Sequence, residues 1–403
     1  MKYSALMLSV FGLLATMAAA ETKPLQVYIL AGQSNMQGHA QVRTFEHIGM
    51  DPKTAPLLAE MQNFDGKPKV LDDVWISSIG CADKEQTGKL TTGFGASAGG
   101  PKIGPEYTFG IYIRKFTDAP ILLIKTSWGG KSLNTDFRPP SSGPYEFNEK
   151  QLQQFAKQGK DIDAMKAAKV EATGLCYRQM MDHVKHVLAG IKRVVPDYDA
   201  ARGHELAGFV WFQGWNDMVD QGTYPDRDKP GGYDAYSRVM ADFIRDVRKD
   251  LGAPKLPFVI GVIGVGGPVD LYGPDQRRQR VGHQNMRNAM AAPAKLPEFD
   301  GNVATVLTEK YWDGELSQLN AKQNALKQEA KKQAREGKLK PAEERASFKT
   351  LIAEKLTERE CKILETGISN EEYHYLGSAK ILGGIGKGFA EAMAELKGLK
   401  QTN

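Results

Sequence analysis

A three-layer α/β sandwich on a parallel sheet is the fold that this sequence predicts, and three observations predict it. Short apolar runs bounded by turn residues recur along the chain. Segments with helical periodicity lie between them, as the crossovers of a parallel sheet require. Polar, glycine-containing loops follow several of the runs directly, which is where open α/β sheets hold their ligands.

Residues 1–20 come first and do not belong to the fold: a basic start at Lys2, an apolar stretch over 5–15 and Ala18, Ala19 and Ala20 before Glu21 read as a signal peptide. The protein is therefore expected to be exported, periplasmic or extracellular, with residues 21–403 forming one domain. No later run reaches the ~18 apolar residues of a membrane helix, so no membrane span is expected. Three cysteines, Cys81, Cys176 and Cys361, close at most one bridge, and without a C-x-x-C there is no thiolate metal site. The net charge of +5 is not gathered into an aromatic-laced basic stripe, so nucleic acid is not an expected partner.

The buried strands are expected at 25–30, 121–125, 208–212, 258–263 and Val303–Leu307, and amphipathic helices at 177–194, 233–251 and 378–396. Between the last strand and the last helix, about residues 316–364, the composition turns to Lys, Glu, Gln and Ala, with Gly337 and Pro341 as breaks. This reads as an inserted, solvated helical hairpin.

Chemistry is concentrated just past the strands. Gly32-Gln33-Ser34-Asn35-Met36 follows the first, so Ser34 stands where a strand turns into a helix, a site for a nucleophile whose own N–H helps to hold an oxyanion. The spacing is not G-x-S-x-G, which disfavours an α/β-hydrolase elbow. Trp128-Gly129-Gly130 follows the second strand and offers the unobstructed N–H of Gly129. Gln213-Gly214-Trp215-Asn216-Asp217 follows the third and offers the neutral amide of Asn216. Each loop taken alone suits an ordinary cap or turn.

Of the seven histidines, His374 sits in a loop before a helix with carboxylates beside it, and it is the natural base for Ser34. Glu371, three residues earlier, is the candidate orienter. An ordinary imidazole pKa of ~6.5 would bring a fall in kcat/KM between about pH 5 and 8. His183 and His186 share a helical face but read as solvated, and His39 reads as a pocket residue beside the Ser34 loop.

In this order the four blocks resemble those of the SGNH (GDSL-like) hydrolases. The forms GQSNM and WFQG-x-N-D are similar to the sialate O-acetylesterase domain and to the carbohydrate esterase family 6 acetylxylan esterases. The resemblance covers roughly residues 24–313 and 366–393. It implies a flavodoxin-like α/β/α sandwich, Ser34 as nucleophile, an oxyanion hole from the N–H groups of Ser34 and Gly129 with Asn216, and His374 as base. It also implies ester hydrolysis with no metal and no cofactor.

Two departures stand out. The family's D-x-x-H appears as Glu371-x-x-His374, leaving the acid to Glu371, to Glu372 or to backbone alone, and the insertion is longer than the resemblance implies. The function expected is removal of O-acetyl groups from carbohydrate through an acyl-enzyme on Ser34. Gln33, Trp128, Gln213 and Trp215 are expected to line the substrate, with the loop 224–233 adding stacking rings. A non-catalytic carbohydrate-binding protein on the same fold is the alternative.

Overall fold

The computed structural model describes residues 23–337 and 340–401; the expected signal peptide at 1–20 lies outside them. Seven strands form the main sheet: β1 (Leu25–Gly32), β2 (Val74–Ile79), β3 (Gln86–Lys89), β4 (Ile121–Ser127), β5 (His204–Phe212), β6 (Phe258–Val262) and β7 (Val303–Leu307). Their order is β3-β2-β4-β1-β5-β6-β7, with β3 antiparallel to β2 and the other pairings parallel. The chain moves outward from β1, returns through β4, then crosses to the far side of β1 for β5. That reversal makes the carboxyl ends of β1, β4 and β5 the crevice where such sheets bind ligands.

Helices cover both faces, making an α/β/α sandwich. They are α1 (Pro105–Ile113), α2 (Leu175–Ala189), α3 (Asp234–Asp250), α4 (Arg277–Ala291), α5 (Gly314–Glu336), α6 (Pro341–Lys355), α7 (Glu358–Gly367) and α8 (Ala379–Leu396). Alternate residues of β5 choose the face. Phe212 meets Phe389 of α8, and Phe209 meets Phe243 of α3, which also touches Tyr177 of α2. Central β1 is buried along its whole length, as a strand covered on both faces must be.

The five expected strands and three expected helices are present, each within a few residues of its expected limits. Two strands, α1 and α4 lie outside those expectations. Every residue of α1 is buried, so it has no polar face and leaves no helical period to read. In β2 the buried Ser77 and Ser78 interrupt the apolar run, and β3 is a half-exposed edge.

The expected hairpin is three helices, α5 to α7. Asp313 Oδ1 caps α5 at Leu316 N–H, 3.0 Å away, while its Oδ2 pairs with Lys380 of α8 at 2.8 Å. Leu316 and Leu319 at one end and Ile363 and Leu364 at the other are buried. All three cysteines are free, and no described helix is long and apolar enough to cross a membrane. His183 is buried rather than solvated. Its Nε2 lies 2.9 Å from Ser77 Oγ, which fastens α2 to β2.

Beneath the crevice, Lys125 of β4 and Glu106 of α1 form a fully buried ion pair of 2.7 Å. Lys125 Nζ also donates to Gln37 O and Phe94 O, each at 2.8 Å, and Glu106 Oε1 accepts from Gly104 N–H at 2.9 Å. The charges are thus satisfied on all sides, which is what makes their burial tolerable. Lys125→Met strands the Glu106 charge and is expected to lower unfolding free energy by about 3–5 kcal/mol. Adding Glu106→Leu recovers much of that loss in urea unfolding.

Candidate active site

β1, β4 and β5 end at one level. Gly32 is in register with Ser127 on one side and with Phe212 on the other. Two further bonds extend the ladder, Trp128 N–H to Gly32 O at 3.2 Å and Gln33 N–H to Phe212 O at 3.3 Å. A Cβ at Gly32 would fall 2.1 Å from Phe212 O, so only glycine lets the chains run this close where the loops diverge.

Ser34 opens a single helical turn, Ser34–Gln37. Gly129 lies beside it; a Cβ there would be 4.0 Å from Ser34 Cβ and 3.0 Å from Gln37 Oε1. No backbone carbonyl engages the N–H of Ser34 or of Gly129 among the described residues.

Asn216 is set by Gln33. Gln33 Oε1 accepts from Gly214 N–H at 3.0 Å and Asn216 N–H at 3.3 Å, and its Nε2 donates to Asn216 Oδ1 at 2.8 Å. Because a backbone N–H only donates, Gln33 must present oxygen to the loop and nitrogen to Asn216. Asn216 must then answer with its oxygen, which leaves Nδ2 without a partner among the described residues, free to donate into the crevice. Gln33 itself is buried, with a long 3.5 Å contact from Nε2 to Ser34 Oγ.

Asp217, next in the chain, locks the neighbouring loop. It is buried and accepts from Leu133 N–H (2.8 Å), Asn134 N–H (3.1 Å), Gln213 Nε2 (2.6 Å) and Tyr224 OH (3.0 Å). Burial pushes its pKa up to about 6, against the pull of those four donors.

His374 arrives on a strained loop. The two residues after it, Tyr375 and Leu376, have φ of 53° and 60°, a left-handed conformation that costs a non-glycine residue about 1–2 kcal/mol. Tyr375 is completely buried; its OH accepts from Gly264 N–H at 2.8 Å and lies 2.7 Å from Thr308 Oγ1, tying the loop to the ends of β6 and β7. Asn35 Nδ2 donates to Tyr373 O at 3.2 Å, joining the serine turn to the same loop. Ser34 Oγ and His374 share no hydrogen bond among the described residues; catalytic hydrogen bonds commonly tighten only with substrate in place.

The hydrogen-bond partner of the His374 ring is not the expected Glu371. His374 Nδ1 lies 2.8 Å from Asn370 Oδ1, and neither Glu371 nor Glu372 bonds to the ring. Asn370 Oδ1 also accepts from Glu371 N–H at 2.8 Å, so Nδ1 carries the hydrogen and Nε2 is left with its lone pair. Glu371 is exposed. Burial, helped by the charge of Lys102, lowers the His374 pKa to about 4.

Other expected substrate contacts divide. Trp215 is part-exposed, its ring 5.6 Å from that of Tyr373. Trp128 is part-buried against Phe137. Gln213 is instead interior, its Nε2 taken by Asp217 and Lys131 O and its Oε1 by Tyr236 OH. Tyr224 and Tyr233 are also buried, their hydroxyls donated inward to Asp217 and to Met218 O. Polar side chains near a strand end satisfy each other first when the loops close over them.

Residues 24–310 match the family of carbohydrate esterases described as sialic acid-specific acetylesterases. The chain belongs to that family. A comparison with curated proteins found no match. Among solved structures, the chain is similar to a protein from Arabidopsis thaliana, at 18% identity and a TM-score of 0.38, with 71% of this chain and 86% of the other covered. It is also similar to a carbohydrate acetylesterase from Xanthomonas citri, at 16% identity and a TM-score of 0.35, over 70% of this chain and 49% of the other.

In this member of the acetylesterase family, two adjoining cavities of about 370 and 210 Å³ lie beside the loops that follow β5 and β6; Trp215 and Tyr373 line them, and Ser34, Gly129, Asn216 and His374 do not. They share Trp215, Gln279 and His283; one extends over Tyr233 to Arg227, the other to Tyr272 and Tyr373. Gln33→Glu tests the arrangement around Asn216. The new carboxylate still accepts from the backbone but can only accept from Asn216, turning Nδ2 away from the crevice. Ester hydrolysis is expected to fall about 100-fold in kcat with KM little changed, and the buried charge is expected to lower the thermal midpoint as well.

Proposed function

We propose that the protein removes O-acetyl groups from carbohydrate by a serine acyl-enzyme mechanism. As Ser34 Oγ bonds to the acetyl carbon, its proton passes to His374 Nε2 and the carbonyl electrons move onto oxygen. The N–H groups of Ser34 and Gly129 and the Nδ2 of Asn216 receive that oxyanion. Collapse expels the sugar oxygen, which takes the proton from His374, and water repeats the sequence to release acetate.

What carries the reading is the common depth at which three separate strand ends deliver a hydroxyl, a glycine N–H and a fixed amide donor. The Trp215, Tyr373 and Tyr272 rings along the adjoining cavities suit a sugar chain, whose apolar faces stack on aromatic side chains. The signal-peptide-like composition of residues 1–20 supports an extracytoplasmic setting. In Cys-His-Asn proteases, likewise, an amide rather than a carboxylate orients the imidazole, so Asn370 serves as the third member in place of Glu371.

Acetate release from an aryl acetate, acetylated xylan and an acetylated sialic acid is expected from the mature protein and not from Ser34→Ala. Loss of release in the variant establishes the nucleophile, and the panel ranks the substrates. No release from any of them by the parent protein would overturn the reading in favour of a binding protein.

The pH dependence differs from that of an ordinary histidine. A protonated Nε2 cannot accept the serine proton, so kcat/KM falls as pH drops through the pKa of His374 in the free enzyme. With that pKa near 4, the profile is expected to stay level from pH 8 to about 5 and to fall below it. A break near pH 6.5 would show that the imidazole is not held down.

A further inference from the structure

We propose that His39 is a positioning residue for His374, holding the base by a face-to-face ring stack and presenting its π-face to the imidazolium that forms when Ser34 gives up its proton. The inference rests on the serine esterase reading. It accounts for a site that sets an amide, not a carboxylate, beside its base.

The two imidazoles are parallel, with centroids 3.9 Å apart and an interplanar angle of 0°. One side chain fixes both. Asn370 Oδ1 takes the hydrogen of His374 Nδ1, so its Nδ2 faces His39 Nδ1 at 3.5 Å as donor. His39 Nδ1 is thereby the acceptor and its hydrogen belongs on Nε2, which is buried with no partner among the described residues. A buried imidazole with one nitrogen unsatisfied is an expensive way to fill space, and any apolar ring would fill it at less cost.

The backbones are clamped as well. Ser369 Oγ accepts from Gln41 N–H at 3.1 Å and donates to Gly377 O at 2.7 Å, with His39 O 3.1 Å from the same hydroxyl, while Ser369 N–H reaches Leu376 O at 2.9 Å. The stack therefore does not depend on two free side chains finding each other.

The charges around the pair keep His39 neutral. His374, Lys102 and Lys125 bear on His39, in that order, and Lys102 also bears on His374; Glu106 is committed to Lys125, and Glu371 and Glu372 make no hydrogen bond to either ring. Burial first, then the charge of His374 and these cations, hold the His39 pKa down to about 3. The His39 Nδ1 lone pair already faces the Asn370 amide hydrogen, whereas His374 Nε2 has no partner among the described residues, so the proton goes to His374. A neutral aromatic face against a cation is an attractive arrangement, worth more where water is excluded.

The test compares His39→Phe, which keeps an aromatic face, with His39→Leu, which fills similar volume without one, on an aryl acetate beside the parent and Ser34→Ala. Thermal melting confirms that each variant is folded. His39→Leu is expected to lose about tenfold or more in kcat with KM unchanged. His39→Phe is expected to stay within about threefold of the parent. The acidic limb of kcat/KM is expected to move in His39→Leu and to hold in His39→Phe. Equal kcat and equal pH profiles in the two variants would overturn the inference, whichever level they share. An active parent with an inactive Ser34→Ala keeps the esterase reading standing in that event; an inactive parent would overturn both.

Discussion

The crevice depends on which way a single buried carboxamide faces. Gln33 stands where β1 ends and reaches across to the loop after β5, where two backbone N–H groups claim its oxygen. That leaves its nitrogen for Asn216, and the chain of donor and acceptor then runs in one direction only. Each such bond adds only about 0.5–1.5 kcal/mol, so the arrangement is not a large store of stability. Its strength is in what it forbids: turning the buried Gln33 amide over sets donor against donor at the backbone N–H groups and acceptor against acceptor at Asn216. Polarity at the strand end thus passes from backbone to Gln33 to Asn216 without relying on a charge.

The loop that carries His374 works by a different balance. Two consecutive left-handed residues, neither of them glycine, oppose the loop's shape, and a fully buried tyrosine holds it in place. The Tyr375 hydroxyl bonds beyond β6 and β7, and the loop closes on itself through Leu376 O, which accepts from the N–H groups of Ser369 and Asn370. Local strain of this kind persists only where the surroundings over-determine it. Five of the seven strand ends are consequently engaged in one polar assembly, three bringing the serine side and two steadying the histidine.

The sequence made the central strands legible because a strand buried on both faces is a plain apolar run, as in β1, β5 and β6. It concealed α1 for a related reason: a helix buried all round has no polar stripe to mark its period. Ser34, Gly129 and Asn216 were readable as residues beyond strand ends, since parallel topology brings those ends to one edge. The contacts of Gln33, Gln213 and Asn370 were not. A glutamine near a strand end looks the same in sequence whether it greets a ligand or a neighbouring N–H, and only the register between distant strands decides. Carboxylate chemistry points to Glu371, three residues before His374. The loop's turn instead presents residue 370, an amide that no charge pattern marks.

The excursion formed by α5 to α7 leaves and re-enters the body at nearly one point. Asp313 begins it with one carboxylate oxygen and binds the last helix through Lys380 with the other, and at the far end Gly367 is close enough to Leu316 that a Cβ would meet that side chain at 2.6 Å. A chain whose two ends are pinned together feels little of what lies between. Closing such a loop costs only about 0.6 kcal/mol more for each doubling of its length. The segment can therefore lengthen, shorten or be exchanged over evolutionary time while the strand ends stay where they are, which makes it a natural graft point on an otherwise constrained scaffold.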